Sequence, residues 1–547
     1  MVLRGVAFSL AVVLAAASPP TPLAGAAAAM RYLELSATNS SGGLTWAMNS
    51  TDAAPTNFPY IADTVYYGSG GPALLFAQGA ACGSGCGFGD GEVARLRTLS
   101  SAALDGAAAA WAAKNGSARF GANTGLYYGS TGIAFALRSA GASAGANDVS
   151  GGGGSGGGGY AAVAADIEAH VLSQPPFNGD ASHASWPNVD VAHGAAGTGL
   201  YLLWAARRLE GGGDAAAAAA LRAGAAGAAQ WLLARAETPP ATVGGGVGLR
   251  WARGPDTDGV HAGAYFPTFC CGTAGVGYFL AELSAVQAAG GAASPAGAGR
   301  GPSRGELLRA AEAAAAHVLA ISTSTAPAAA TAAVAGAGAD QPLFLPHEEE
   351  GKGLRTVYQG WCGGGAGWSR LFVRLFQLTQ NATYLAAVEG AAAGVAQALP
   401  DLAMRLPVGA APWANVGQCC GAAGAGTFLL ELATAGASSL PLRNATRAAA
   451  LAAARAFGGA VLARAADAGS GALAFPSPEE SLAPLDTRWQ AGWMQGAAGV
   501  ASFLLHLNAV NGGLRGGARV PWPDEPWAHF AGPLELEVVT NDERHAP

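Results

Sequence analysis

The sequence predicts an all-α protein, a single closed solenoid of paired helices, on three observations. A Gly-x-x-Gly turn followed at once by an apolar helix recurs seven times. The first glycines of these turns are Gly68, Gly129, Gly194, Gly272, Gly364, Gly421 and Gly496. They fall about one every 71 residues, room for two helices and two connections, which is the signature of a repeat architecture. Alanine dominates the stretches between turns, and β-branched and aromatic residues are sparse, which favours closely packed helices over sheets. A chain of 547 residues permits two to four domains, but evenly spaced repeats argue for one body. The net charge of −7, with 12% charged residues and no basic run, argues against nucleic-acid binding.

From the N-terminus, residues 1–29 read as a secretory signal: Arg4, an apolar core from Val6 to Ala17, then small residues through Ala29. An uncleaved anchor or a transit peptide are the alternatives, although the apolar core is short for a bilayer span and no later segment offers one. Asn39, Asn49, Asn115, Asn381 and Asn444 stand in Asn-x-Ser/Thr triplets, which together favour the secretory route and glycosylation. Residues 30–519 form the repeat body. Its post-turn helices include Leu200–Arg208, Phe279–Val286, Arg370–Leu378, Phe428–Leu432 and Phe503–Leu507. Ala215–Ala236, Leu307–Ile321 and Ala445–Ala465 read as alanine-rich outer helices with charges on one side. Ser150–Gly159, Gly290–Gly305 and Ser322–Asp340 read as loops of small residues. A Pro-rich tail is expected over 520–547, with Leu534–Val539 a short strand or a surface segment.

Seven cysteines are too few for a disulfide scaffold in a chain of this size. Cys82 and Cys86 flank Gly-Ser-Gly and can close a small surface disulfide. The other five sit just before the glycine turns. Cys362 lies two residues before Gly364, and Cys419 two before Gly421, with Cys420 between. If the repeats superpose, three thiols converge at the starts of neighbouring helices, where the positive helix ends favour thiolate. Three protein ligands leave the fourth tetrahedral position of a zinc ion open, as in catalytic sites. A disulfide of Cys362 with Cys419 or Cys420, or cysteines acting as small hydrophobes, are the competing readings.

The turns GWCGGGAG, GQCCGAAGAG and GWMQGAAG, in that order within the series of seven, resemble the lanthionine synthetase C-like (LanC-like) family. The resemblance runs from about Thr64 to Asn508. It implies an (α/α) toroid of seven inner and seven outer helices, with one Zn²⁺ held by Cys362, Cys419 and Cys420. It further implies that a substrate cysteine binds as zinc thiolate and adds to a dehydroamino acid, giving a thioether on a peptide or small thiol. Such an addition needs an acid to protonate the enolate. The third turn, DVAHGAAG, offers Asp190, which matches an acidic residue of active family members, and His193; helix capping and cavity lining are their structural alternatives.

Two positions depart from the family pattern. Cys271, preceded by Cys270, stands where a histidine is expected in the fourth turn, a poorer general acid whose alternatives are redox activity or reaching the metal, and Gly363 follows Cys362 where a His or Tyr is usual. A non-catalytic, zinc-stabilised toroid that binds peptide or protein partners is therefore the alternative. A carbohydrate enzyme ranks third, because it needs paired carboxylates and the turns supply only Asp190. No P-loop, kinase signature, HExxH or Gly-x-Ser-x-Gly motif is present, nor any dehydratase region, so a dehydrated substrate has to come from elsewhere.

Overall fold

All seven glycine turns launch helices. The computed structural model describes residues 20–40, 42–46, 64–113, 120, 123–143, 157–180, 188–254, 263–289, 301–323, 341–350, 357–397, 415–475, 489–514 and 518–526. The post-turn helices are α2 (Gly70–Cys82), α4 (Ser130–Ser143), α6 (Ala195–Gly211), α8 (Thr273–Ala289), α10 (Gly365–Thr379), α12 (Ala422–Thr434) and α14 (Ala497–Asn511). Seven more α-helices pair with them: α1 (Pro22–Ser36), α3 (Asp90–Ala113), α5 (Gly157–Ser173), α7 (Ala215–Leu233), α9 (Arg304–Ile321), α11 (Ala382–Gln397) and α13 (Asn444–Ala463).

Pairing follows chain order with one exception. Each post-turn helix from α2 to α12 packs on the helix that follows it, whereas α14 packs on α1, from the opposite end of the sequence. The post-turn helices also touch one another in succession, and α14 touches α2. Local chemistry sets the helix starts. Ser303 and Glu306 form a reciprocal capping box at α9, Asp214 caps α7, and Thr21 with Pro22 starts α1. Burial separates the two sets. In α7 the buried Ala218, Leu221, Ala225, Ala228 and Leu232 recur every three or four residues, a one-sided stripe. In α10 every residue from Gly365 to Phe376 is buried, as expected of a helix with neighbours all round. Two short antiparallel hairpins, β1 (Thr38–Ser40) with β2 (Gly43–Thr45) and β3 (Ala466–Gly469) with β4 (Ala472–Ala474), are the only named sheets among the described residues.

At both ends of the described residues the chain packs on the body. The boundary at residue 29 falls inside α1, whose Ala26, Ala29, Met30 and Leu33 are buried on the face that meets α14. The expected apolar signal core, Val6–Ala17, lies outside the described residues. The tail does not leave the body at Val520: Val520, Trp522, Asp524 and Glu525 are all buried. Trp522 packs against Tyr127, Phe135 and Trp493, which explains why this Pro-containing segment is ordered without being helical. Leu534–Val539 lies outside the described residues, as do 150–156, 290–300 and 324–340 of the expected loops; Gly157–Gly159 open α5 instead. Cys82 and Cys86 are disulfide-bonded, but the bridge is buried and not superficial.

Candidate metal centre

From the second turn round to the first, the residues before one turn are held to those of the next by backbone hydrogen bonds. The Tyr127 N–H donates to the Ala192 carbonyl at 3.1 Å, Ala192 to Cys270 at 3.2 Å, and Cys270 to Cys362 at 3.1 Å. Cys362 donates to Cys419 at 2.8 Å, Cys419 to Met494 at 2.9 Å, and Met494 to Tyr66 at 3.2 Å. Six turn-to-turn links therefore run in register through the same pre-turn position. Glycine is needed because the backbones come so close. Gly364 has ordinary extended torsions, yet a Cβ there would meet the Gln359 backbone at 2.3 Å. A Cβ on Gly367 would lie 1.8 Å from the Trp361 carbonyl oxygen. No side chain tolerates either contact.

This register brings all five unbridged cysteines together. Cys362, Cys419 and Cys420 have their sulfurs within 4.8 Å of one another, as the spacing of the turns led us to expect. Cys270, Cys271 and Cys362 form a second such group, which the sequence reading did not assemble. The signal was available: Cys-Cys-Gly occurs in both the fourth and the sixth turns. Sulfur separations are 2.6 Å for Cys270–Cys271, 2.9 Å for Cys270–Cys362 and 3.2 Å for Cys419–Cys420. Cys270, Cys271 and Cys419 are buried, while Cys362 and Cys420 are half-buried. Contacts with Cys270, then with Cys271, pull the Cys362 thiol down to about 7. Burial pushes the Cys270 thiol well above its ordinary value. Cys420 is likewise raised, first by its contacts with Cys362 and Cys419. Each group can hold a metal ion.

Asp190 and His193 also meet. Asp190 is fully buried and accepts the His193 backbone N–H at 2.7 Å through Oδ1, while its Oδ2 lies 3.2 Å from His193 Nδ1. The capping reading of Asp190 is thus partly realised, on the residue before the helix glycine. Arg253 Nε lies 3.7 Å from the same Oδ2. Burial alone would lower the His193 pKa, but the Asp190 carboxylate outweighs it and raises the value above 6.5. Burial likewise works against the Asp190 carboxylate, yet His193 and Arg253 hold its pKa below 3.8. The imidazole stacks on Tyr128, with ring centroids 4.3 Å apart, and Tyr128 stacks on Tyr66 at 4.0 Å. Gln495 Nε2 donates to the Tyr66 hydroxyl at 3.1 Å and lies 3.9 Å from Cys420 Sγ. These three side chains, missed in the sequence, tie the His193 side of the turns to the cysteine side. At Gly363, His347 and Tyr358 occupy the neighbouring space: a Cβ would come within 3.2 Å of both rings.

Beneath the turns sits a network built around the C-terminal segment. Asp524 accepts from Tyr127 Oη at 3.1 Å and Trp361 Nε1 at 2.8 Å, and pairs with Arg370 at 3.3 Å. Glu431 and Glu525 line a cavity of about 30 Å³ there. Burial, reinforced by Glu431, pushes the Glu525 carboxyl well above the carboxylate range. Paired carboxylates are therefore present, but the space accommodates roughly one water molecule and no sugar. No helix of the described residues is long and apolar enough to cross a membrane. No protein-family model matches the chain, and neither does any curated protein.

Proposed function

We propose that the chain is a LanC-like α/α toroid whose Cys362, Cys419 and Cys420 hold a zinc ion and whose activity is thioether formation on a peptide or small thiol. The toroid reading is supported by seven helix pairs and by the contact of α14 back to α2. The observation that carries the functional reading is the convergence of three thiols from two hydrogen-bonded turns. The donor set suits zinc, because soft sulfur ligands favour it over hard cations. A tetrahedral ion with Zn–S bonds of about 2.3 Å needs sulfurs about 3.8 Å apart. Separations up to 4.8 Å reach that with small rotamer changes. Bound there, zinc lowers the pKa of an external thiol and positions its sulfur.

The chain's own residues manage the proton. Asp190 occupies His193 Nδ1, leaving Nε2 for the substrate, and keeps the ring protonated to higher pH. As the thiol sulfur bonds to the β-carbon of a dehydroamino acid, the π electrons pass to the α-carbon and its carbonyl. The protonated Nε2 delivers a proton to the α-carbon and regains one from the next thiol. Stacking on Tyr128 fixes the ring plane. Secretion and glycosylation belong to the same proposal, with the signal ending ahead of α1, which begins at Pro22. The Cys82–Cys86 disulfide fits an oxidising compartment, and Asn39, Asn381 and Asn444 are exposed; Asn49 and Asn115 lie outside the described residues.

The test combines elemental analysis with a thioether assay on thiol and dehydroamino-acid substrates. Wild type is expected to retain zinc and form product, and Cys362→Ala to lose both. Equal rates for the two would overturn the catalytic reading and favour the alternative, a zinc-stabilised toroid that binds partners. The replacement of the fourth-turn histidine by Cys271 is the feature that favours that alternative.

A further inference from the structure

The cysteine arrangement is symmetric about Cys362. Cys270, Cys362 and Cys419 hold the same position in three successive turns, two residues before the glycine. Cys271 and Cys420 follow the two outer members. Backbone bonds from Cys270 to Cys362 and from Cys362 to Cys419 fix the three turns side by side. Cys362 belongs to both sulfur groups, and among the described residues no four sulfurs lie mutually within 4.8 Å. One tetrahedral ion bound by four of these cysteines is therefore disfavoured, because its six sulfur edges would each be about 3.8 Å. Two three-sulfur sites sharing one corner ask only that the touching sulfurs, 2.6–3.2 Å apart, open to about 3.8 Å.

We propose that the five cysteines form a dinuclear zinc–thiolate centre in which Cys362 bridges the Cys419–Cys420 site and a second site made with Cys270 and Cys271. The inference rests on the first site being the zinc site proposed above. Charge is consistent with the pair: two divalent ions leave one negative charge on five thiolates in a largely buried setting. Arg253, beside Asp190, carries positive charge toward Cys271 and offsets part of that remainder. Cys271 acts on His193, which puts the proposed second site on the His193 side of the cysteine cluster.

The experiment loads reduced, metal-free protein with zinc alone under anaerobic conditions, removes excess, and counts ions per chain by elemental analysis. Wild type is expected to hold two. Cys270→Ala/Cys271→Ala is expected to hold one, as is Cys419→Ala/Cys420→Ala, and Cys362→Ala to hold less than either. Far-UV circular dichroism confirms that each variant remains helical, and the single Cys271→Ala replaces the first double variant if that one unfolds. One ion in wild type and one in Cys270→Ala/Cys271→Ala would overturn the second site while leaving the proposed function standing. Full zinc in Cys419→Ala/Cys420→Ala would instead overturn the first site and the function built on it. Alkylation of the protein as isolated that maps a Cys270–Cys271 or Cys270–Cys362 disulfide would also overturn the dinuclear centre.

Discussion

Replacing Asp524 with alanine tests the claim that the C-terminal segment holds the turns from below. The carboxylate is fully buried and compensates Arg370, which is itself almost fully buried at 6% exposure. It also accepts from the indole of Trp361, the residue before Cys362, and from the hydroxyl of Tyr127. Removing one partner of a buried ion pair costs about 3–5 kcal/mol when the other charge is left uncompensated; Glu431 and Glu525 also act on Arg370, so the lower end applies. Each orphaned donor adds about 1–3 kcal/mol, less than additively because the three share one acceptor site. We expect a loss of about 5 kcal/mol, read as the shift in urea midpoint multiplied by the slope. Arg370 keeps its bond to the Asp524 backbone carbonyl at 2.9 Å, which alanine preserves. The double variant Asp524→Ala/Arg370→Met should recover part of the loss by removing the orphaned charge. A loss under about 1 kcal/mol, or a double variant no more stable than the single, would refute the ion-pair reasoning. Zinc retention should fall in parallel, since Trp361 adjoins the proposed bridging ligand.

The remaining expectations concern the turns themselves. His193→Ala should leave zinc content unchanged and lower thioether turnover by about 10²-fold or more, the scale of lost acid–base catalysis; unchanged turnover in a zinc-loaded variant would remove His193 from the mechanism. Gly367→Ala places a methyl 1.8 Å from the Trp361 carbonyl, so it should destabilise by about 3 kcal/mol or more and disturb Cys362, whereas Gly459→Ala, with nothing within 4 Å, should not. The His193–Asp190 pair also predicts a pH profile. Because folding raises the His193 pKa, its contribution is complete below the ordinary value of 6.5 and is lost as pH rises through the raised value. Asp190 acts in the opposite sense: its lowered pKa contributes above 3.8 and is lost as pH falls through the folded value. The alkaline decline should flatten in His193→Ala and persist in a distant histidine variant such as His170→Ala.

Helix positions were legible because they rest on local signals. The glycine turns mark seven helix starts, and alanine spacing marks α7, α9 and α13 to within three residues. The convergence of Cys362, Cys419 and Cys420 followed from register alone, since equivalent positions in hydrogen-bonded repeats must be neighbours. What escaped was non-local. Nothing in the composition of Pro22–Ser36 says that it covers α14, because its alanines resemble those of a signal segment and its partner lies at the other end of the chain. Val520–Glu525 looked like tail because prolines break helix, but the buried Trp522 and Asp524 find partners on three different turns or helices. Cys270 and Cys271 were read against a family pattern as departures, when their own register already placed them beside Cys362.

The same contacts make the cysteine cluster, and the metal centre proposed for it, depend on residues far from it in sequence. The fourth, fifth and sixth turns hold the sulfurs, and the sixth is pinned to the seventh through Cys419 and Met494. The seventh is pinned in turn to the first through Met494 and Tyr66, and α14 is covered by α1. Ligand geometry is thus set by a series of short backbone bonds that ends on the N-terminal elements, while Asp524 braces Trp361 from the C-terminal side. Displacing α1 should therefore loosen the turns before it melts the helices. A protein truncated to begin at Met30 keeps every cysteine and all of α2 to α14, yet loses the buried Gly25, Ala26 and Ala29. It should hold zinc more weakly than a protein beginning at Thr21, while both remain helical by circular dichroism. Equal zinc retention by the two would show that the centre is organised by its own turns alone.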